Sequence, residues 1–304
     1  MNLFHAFFLG ILQGATEFLP VSSSGHLVLV PWLLGWASPG LAFDAVVHWG
    51  TALAVVAYFW RDWVALVRAA LCSLRALTLR RFRAAPPAQE ERLHSGSLSD
   101  PRVAAEPLQR SQSSGDARLA WLILLGTVPA ALVGWLLDDF FERMFARPPV
   151  AAAFLLVTAA LLTASERFGR RERDLDTLTW LDALLVGFAQ ALAIFPGISR
   201  SGATIAAGLE QGLRREPAAR FSFFLATPVI LGAGLFKVVD LVQMGNLAAQ
   251  VPSLAVGFVA AGVVGLGCIH FLLRYLQRHR LYPFAVYCAI VGVACLVVAV
   301  VRGG

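Results

Sequence analysis

Long apolar stretches alternate with short polar ones along the chain, and six of them are long enough to cross a membrane. A transmembrane helix needs about 20 mostly apolar residues in succession. The six stretches are 41–60, 119–137, 149–165, 221–239, 251–273 and 283–301. This pattern predicts an all-α polytopic membrane protein with six transmembrane helices.

Two further apolar regions are interrupted by helix-breaking or polar residues. Pro20 and the serine run behind it divide the first region, and Pro196 with Gly197 divides the second. The halves are 1–19 and 22–36 in the first region, and 179–195 and 199–213 in the second. Because each half is short for a span, we predict two re-entrant helical hairpins, whose tips must be surrounded by protein or by a water-filled cavity.

The same order of elements occurs twice. One hairpin and three spans fill residues 1–165, and a second hairpin and three spans fill residues 179–301. Since three spans separate the hairpins, the second hairpin should enter from the opposite face, as in inverted-repeat transporter folds. We therefore expect one integral membrane domain over 1–304, with both tips near the middle of the bilayer.

The composition agrees with a lipid environment and gives the chain an orientation. Hydrophobic residues make up 58% of the chain and charged residues 14%, with a mean hydropathy of +0.69. The net charge of +6 comes from residues between the apolar spans, which argues against nucleic-acid binding. If the first hairpin enters from the periplasm, 20 of the 25 basic residues face the cytoplasm. We expect both termini on the periplasmic side of the membrane.

Two other segments carry expectations of their own. Residues 84–116 are rich in Ser, Pro, Gln and Gly, which predicts a disordered cytoplasmic loop. The first ten residues lack the basic start of a secretory signal, so we expect the first helix to remain in the mature protein.

The candidate chemistry lies in the two interrupted regions. A charged side chain at the centre of a bilayer costs about 2.5–3.5 kcal/mol on insertion scales, so Glu17 and Arg200 need a partner or a function. They could form a plain ion pair, or they could both face one anion. Gln13 lies one helical turn before Glu17 and can point to the same tip, although an amide can also simply bridge two helices.

At both predicted hairpin tips, residues with hydroxyl groups stand where the second helix of the hairpin begins. Such residues cap free backbone N–H groups, and the start of a helix also attracts anions. The first tip contributes Ser22, Ser23, Ser24, Gly25 and His26, and the second contributes Ser199, Ser201 and Gly202 beside the planar donor fork of Arg200. His26 could transfer a proton or merely bond a carbonyl group. With neither a P-loop nor an HExxH motif in the sequence, this set predicts phosphoryl transfer from a lipid-borne phosphate.

Both motifs resemble those of a known family. Residues 17–26, Glu-Phe-Leu-Pro-Val-Ser-Ser-Ser-Gly-His with Gln13 before them, and residues 196–202, Pro-Gly-Ile-Ser-Arg-Ser-Gly, are similar to the two signatures of bacterial undecaprenyl-diphosphate phosphatases, the bacitracin-resistance proteins. The resemblance implies hydrolysis of undecaprenyl diphosphate to the monophosphate and phosphate. It places the protein in a bacterial inner membrane, and we expect the active site to open to the periplasm. It also implies that Gln13, Glu17, Ser23, His26 and Arg200 are functional, and that Mg²⁺ or Ca²⁺ is required, with Glu17 as a possible ligand.

Several alternatives stay open at this level. A polyprenyl-phosphate transporter or flippase is the competing function, because inverted repeats are common in carriers. The nucleophile could be Ser23 with His26 as acid–base partner, which we favour, or His26 itself, or water activated by Glu17. Asp44 and His48, four residues apart, could support the site or form a structural pair. The sequence gives no oligomeric state.

Overall fold

The fold is helical throughout the part of the chain that is described. A computed structural model describes residues 1–82, 101–243 and 247–303. Its helices are α1 (Leu3–Phe18), α2 (Ser23–Leu34), α3 (Leu41–Tyr58), α4 (Trp60–Phe82), α5 (Pro101–Leu136), α6 (Asp138–Phe145), α7 (Pro148–Phe168), α8 (Trp180–Leu192), α9 (Arg200–Glu210), α10 (Arg215–Gln243), α11 (Leu247–Leu276) and α12 (Tyr282–Val301), with a 3₁₀ turn at Leu175–Thr177. The prediction of an all-α polytopic membrane protein is confirmed.

Five helices are individually long and apolar enough to cross a membrane. They contain Ser114–Leu136, Pro148–Phe168, Arg215–Leu235, Gln250–Leu276 and Tyr282–Val301. The sixth predicted span, 41–60, is different. It is long and apolar enough to cross a membrane only when Ala42–Tyr58 and Trp60–Ala76, which are separated by a break at Phe59, are counted as one span. The apolar run stops there because Arg61 and Asp62 follow directly.

The expectation of a disordered loop over 84–116 is wrong for its second half. Helix α5 begins at Pro101, so residues 101–116 are helical, while 84–100 lie outside the described residues. Proline suits the first position of a helix, and the Ala, Arg, Glu, Leu and Gln that follow are good helix formers. A segment too polar to bury a core can therefore still extend a transmembrane helix.

Each of the two predicted hairpins corresponds to a pair of short helices, and their re-entry into the membrane stays a prediction. We call residues 19–26, which connect α1 to α2 and include the first turn of α2, the first tip, and residues 193–202, which connect α8 to α9 and include the first residues of α9, the second tip. The second tip is tied to α7: the Thr158 hydroxyl donates to Gly197 O at 2.9 Å and accepts from Ser199 N at 2.9 Å. The inverted orientation of the two hairpins refers to the membrane and stays a prediction.

The first helix of each hairpin packs closely on a span. A Cβ atom added to Gly10 of α1 would collide with Gly257 O of α11, and one added to Gly187 of α8 would collide with Gly126 O of α5. Small residues at such crossings let helix backbones approach each other, which is the usual means of helix association in lipid. The two hairpins therefore use the same kind of contact.

The chain divides into two compact units. One unit contains Met1–Tyr58 and Ile123–Gly304, and it holds both tips. The other unit is Phe59–Leu122, where the Trp121 indole N–H donates to Ser73 Oγ at 3.0 Å.

Gly197 should tolerate no side chain, because it has a φ of 99° and a Cβ atom there would collide with Ala151 O. We expect Gly197→Ala to lower the stability of the detergent-solubilised protein by at least about 2 kcal/mol, from backbone strain and overpacking together. Thermal unfolding of the purified variant measures this. Gly267→Ala is the matched control, since nothing lies within 4 Å of a Cβ atom there. If the two variants unfolded at the same temperature, Gly197 would not be required at this position.

Candidate functional site

The two tips bring Glu17 and Arg200 into contact. A terminal nitrogen of the Arg200 guanidinium donates to Glu17 Oε1, and these side chains are only 21% and 4% exposed, respectively. Glu17 lies in the last turn of α1, and Arg200 is the first residue of α9. The pairing expected from the cost of burying either charge is therefore present.

The second carboxylate oxygen of Glu17 gathers three further groups. Gln13 Nε2 donates to Glu17 Oε2 at 2.9 Å, and the Ser23 hydroxyl donates to the same atom at 2.6 Å. His48 Nε2 lies 3.5 Å from it. A plain ion pair would not need this many donors, so we treat Gln13, Glu17, Ser23, His48 and Arg200 as one candidate site, the Glu17 cluster.

The serines of the first tip divide into capping and site residues. The Ser22 side chain caps α2 by accepting from Gly25 N at 3.2 Å, and Ser24 Oγ lies 3.3 Å from Ser22 Oγ. Ser22 adopts a φ of 71°, which is uncommon outside glycine and turns the chain sharply before α2. Ser23, the first residue of α2, is the serine of this run whose hydroxyl reaches the Glu17 carboxylate.

The second tip is built in the same way. Ser199 caps α9 by accepting from Gly202 N at 3.0 Å, and Ser201 Oγ lies 3.3 Å from Ser199 Oγ. The Ser201 hydroxyl also donates to Leu19 O at 3.3 Å, which joins the tips. The first residues of α2 and α9 thus both touch Glu17, so two positive helix ends meet at one place that suits a phosphate group.

His26 has partners other than Ser23. Its Nδ1 lies 2.7 Å from Ser22 O, and its Nε2 lies 2.8 Å from the hydroxyl of Tyr287 on α12. The structure therefore does not show the favoured pairing of Ser23 with His26. The imidazole of His26 is bonded to the carbonyl of Ser22, and the Ser23 hydroxyl is bonded to Glu17. The base beside Ser23 is the Glu17 carboxylate.

His48 belongs to the site, while Asp44 supports it. His48 Nδ1 donates to Asp44 O at 2.6 Å, which turns Nε2 towards Glu17. Asp44 Oδ1 is buried and has no hydrogen-bond partner among the described residues. The spacing of these two residues was the sequence signal for them, whereas Tyr287 carries no motif and gave none.

The residues present offer only part of a cation site. Among the described residues no group of three or more His, Cys, Asp or Glu side chains could hold a metal ion. The Gln13 Oε1 atom is buried without a hydrogen-bond partner in the described part of the chain, next to the Glu17 carboxylate. Two such oxygens fit Mg²⁺, which commonly takes few protein ligands and completes its shell with phosphate oxygens and water.

Comparison with known proteins gives one consistent result. The model of the family described as bacitracin resistance protein BacA matches residues 6–294. The chain is 38% identical over 304 residues to an undecaprenyl-diphosphatase of Desulforudis audaxviator, covering 100% of both chains. It is 41% identical over 305 residues to that of Thermomicrobium roseum, covering 98% of each, and 42% identical over 296 residues to that of Alcanivorax borkumensis, covering 97% of this chain and 98% of the relative.

Proposed function

The chain belongs to the family of the bacitracin resistance protein BacA, and we propose that its Glu17 cluster is the active site of an undecaprenyl-diphosphatase. The protein is a multi-pass membrane hydrolase that converts undecaprenyl diphosphate to undecaprenyl phosphate and phosphate. This reaction returns the lipid carrier to cell-wall synthesis, and the family name connects it with bacitracin resistance. The observation that carries the site assignment is the Ser23 hydroxyl bonded to a carboxylate beside an arginine.

The reaction begins with the exchange of one partner of Arg200. In the structure, the guanidinium is bonded to Glu17 Oε1. A terminal phosphate that enters between the two helix starts competes for the same donors, because arginine binds phosphate oxygens through a fork of N–H groups. Once Arg200 turns to the phosphate, the Glu17 carboxylate loses its counter-charge and becomes a better proton acceptor.

Ser23 then acts as the nucleophile. Its Oγ forms a bond to the terminal phosphorus while its proton passes to Glu17 Oε2, and the bond from that phosphorus to the bridging oxygen breaks. Undecaprenyl phosphate leaves with the bridging oxygen, and Ser23 carries the phosphoryl group. Water then forms a bond to the same phosphorus while the bond from phosphorus to Ser23 Oγ breaks. Inorganic phosphate leaves with the oxygen and both protons of that water, and the proton on Glu17 returns to Ser23 Oγ. A serine hydroxyl is a weak nucleophile until such a base is adjacent.

A divalent cation, Mg²⁺ or Ca²⁺, is part of this proposal. Glu17 and the Gln13 Oε1 atom are the protein oxygens that would hold it, with the remaining ligands from diphosphate and water. When bound, the cation would neutralise charge on the phosphate oxygens.

Hydrolysis is favoured over transport for a chemical reason. A carrier needs an anion site, which Arg200 and two helix starts already provide. The Ser23–Glu17 hydrogen bond adds a nucleophile and its base, which binding does not require. Detergent-solubilised protein should therefore release phosphate from undecaprenyl diphosphate although no membrane separates two sides. Lipid movement in vesicles without phosphate release would contradict the proposal.

We also propose that the site opens to the periplasm and that both termini lie there. In the Cys72→Ser background, Ala146→Cys between α6 and α7 should react with an impermeant maleimide from the periplasmic side of intact cells. Gln277→Cys after α11 should react only after the cells are opened, because 20 of the 25 basic residues would otherwise face outward. Both positions are exposed and uncharged, so each is the control for the other. Reversed labelling would overturn the orientation.

A further inference from the structure

Tyr287 is a polar residue of α12 that no motif singles out. Its side chain is 43% exposed, and it lies five residues into a helix that is otherwise strongly apolar. A phenol hydroxyl in apolar surroundings loses its hydrogen bonds to water. It therefore needs a hydrogen-bond partner in the protein. The partner is His26 Nε2 at 2.8 Å, and the two rings are nearly parallel, with an angle of 9° between them.

The contacts of His26 define its tautomer. Ser22 O can only accept a hydrogen bond, so the Nδ1 atom, at 2.7 Å, must carry the proton. In the neutral ring Nε2 then has only a lone pair, and it accepts the hydrogen bond from the Tyr287 hydroxyl. The tyrosine thus acts on the one basic nitrogen of the ring.

A series of contacts connects Tyr287 to Ser23, the proposed nucleophile. Tyr287 bonds His26, His26 bonds the carbonyl of Ser22, and Ser22 is the residue with a φ of 71° that directly precedes Ser23. A small rotation of the ring would move that carbonyl, and with it the direction of the Ser23 hydroxyl. Reacting atoms must be held closely in place, since a misplacement of about 1 Å can cost about 100-fold in rate.

Resting on the proposed function, we propose that Tyr287 is a positioning residue: its hydroxyl fixes the orientation and tautomer of His26 and thereby holds the first tip with Ser23 directed at Glu17. Among the described residues, the hydrogen bond and the ring contact of Tyr287 are both with His26, which lies outside the Glu17 cluster. Its effect passes through His26, so it should disappear when His26 is absent.

The test is a double-mutant cycle on detergent-purified protein with undecaprenyl diphosphate as substrate. We expect Tyr287→Phe to lower kcat by about 10- to 100-fold, the size of the loss when a group that orients a metal-bound histidine is removed, while KM changes less than about twofold. In the His26→Ala background, the same substitution should cause no further loss. An equal loss in both backgrounds would show that Tyr287 acts by another route and would overturn the proposal.

The chain provides a matched control. The Tyr58 hydroxyl lies 3.0 Å from His270 Nδ1, which is a second Tyr–His pair formed by α3 and α11. Tyr58→Phe removes the same atom from the same kind of pair, and it should leave kcat within about twofold of wild type. If Tyr58→Phe were as damaging as Tyr287→Phe, loss of packing would explain both, and the positioning role would be wrong.

A measurement on the unaltered sequence keeps the inference testable should Tyr287→Phe unfold. In protein labelled with ¹⁵N-histidine, the signals missing from His26→Ala identify His26, and they should report a protonated Nδ1 and an unprotonated Nε2. The opposite tautomer would exclude the proposed contacts. Absence of phosphate release by the wild-type protein would instead contradict the proposed function, so the two failures are distinguishable.

Discussion

Ser23→Ala and Glu17→Gln should each lower phosphate release by at least about 10³-fold, because the serine and its base act as one catalytic unit. Ser23 Oγ donates to Glu17 Oε2 at 2.6 Å, and no other serine of the first tip makes that contact among the described residues. The double variant should be little slower than either single variant. Multiplicative losses would mean that the two residues act independently.

The serine role can be separated from direct attack by water. If water is the nucleophile, Ser23→Ala should keep most of the activity while Glu17→Gln abolishes it. If Ser23 is the nucleophile, substrate labelled with ³²P in its terminal phosphate should leave label on wild-type protein after acid quenching, and none on Ser23→Ala. Ser253→Ala is the control, since Ser253 is also buried and its hydroxyl donates to the carbonyl of Gln250.

Much of the fold followed from the length and spacing of apolar runs. The spans and the interruptions at Pro20 and Pro196 are one-dimensional features, and the cost of burying Glu17 and Arg200 predicted that the two tips would meet. The helical start of α5 differs from the prediction because few apolar residues exclude only a buried core, and they do not exclude a helix. The break at Phe59 has no signal of its own in the sequence, because the apolar run includes Phe59 and Trp60 and ends only at Arg61.

The details of the site were less accessible from the sequence. The direction of the Ser23 hydroxyl depends on the left-handed backbone of Ser22, which propensity does not predict for serine. The partner of His26 lies 261 residues away in sequence, on a helix with no polar pattern. In both cases tertiary packing sets the direction of the side chain. The sequence therefore predicts which residues belong to the site, but it does not predict their hydrogen-bond partners.

The two tips have unequal tasks although they are built alike. Each has a serine cap that accepts from a glycine N–H three residues later, at Ser22 with Gly25 and at Ser199 with Gly202. The residue after the cap differs: the first tip places a hydroxyl group there, and the second places Arg200. One tip therefore supplies the nucleophile and the other supplies the phosphate clamp.

This division predicts a large effect for the conservative change at the clamp. Arg200→Lys keeps the positive charge opposite Glu17 but replaces a planar fork of donors with a single ammonium group. Each lost hydrogen bond to a charged group is worth about 1.5–3 kcal/mol, so we expect kcat/KM to fall by about 100-fold. Because the charge is retained, thermal unfolding in detergent should change little. Phosphate release and unfolding of the purified variant measure the two quantities.

The matched control is a second arginine–glutamate pair away from the tips. Arg215 donates to both carboxylate oxygens of the buried Glu166 at 2.7 Å, and Leu281 N donates to the same carboxylate at 2.9 Å. This pair ties the start of α10 to the end of α7 and the start of α12, so Arg215→Lys should lower stability while the folded fraction keeps its activity. Arg200→Lys should show the reverse. Two results would contradict this prediction: near-wild-type turnover of Arg200→Lys, or a loss of activity only in proportion to its unfolding. Either result would make Arg200 a structural partner of Glu17, and another residue would have to bind the phosphate.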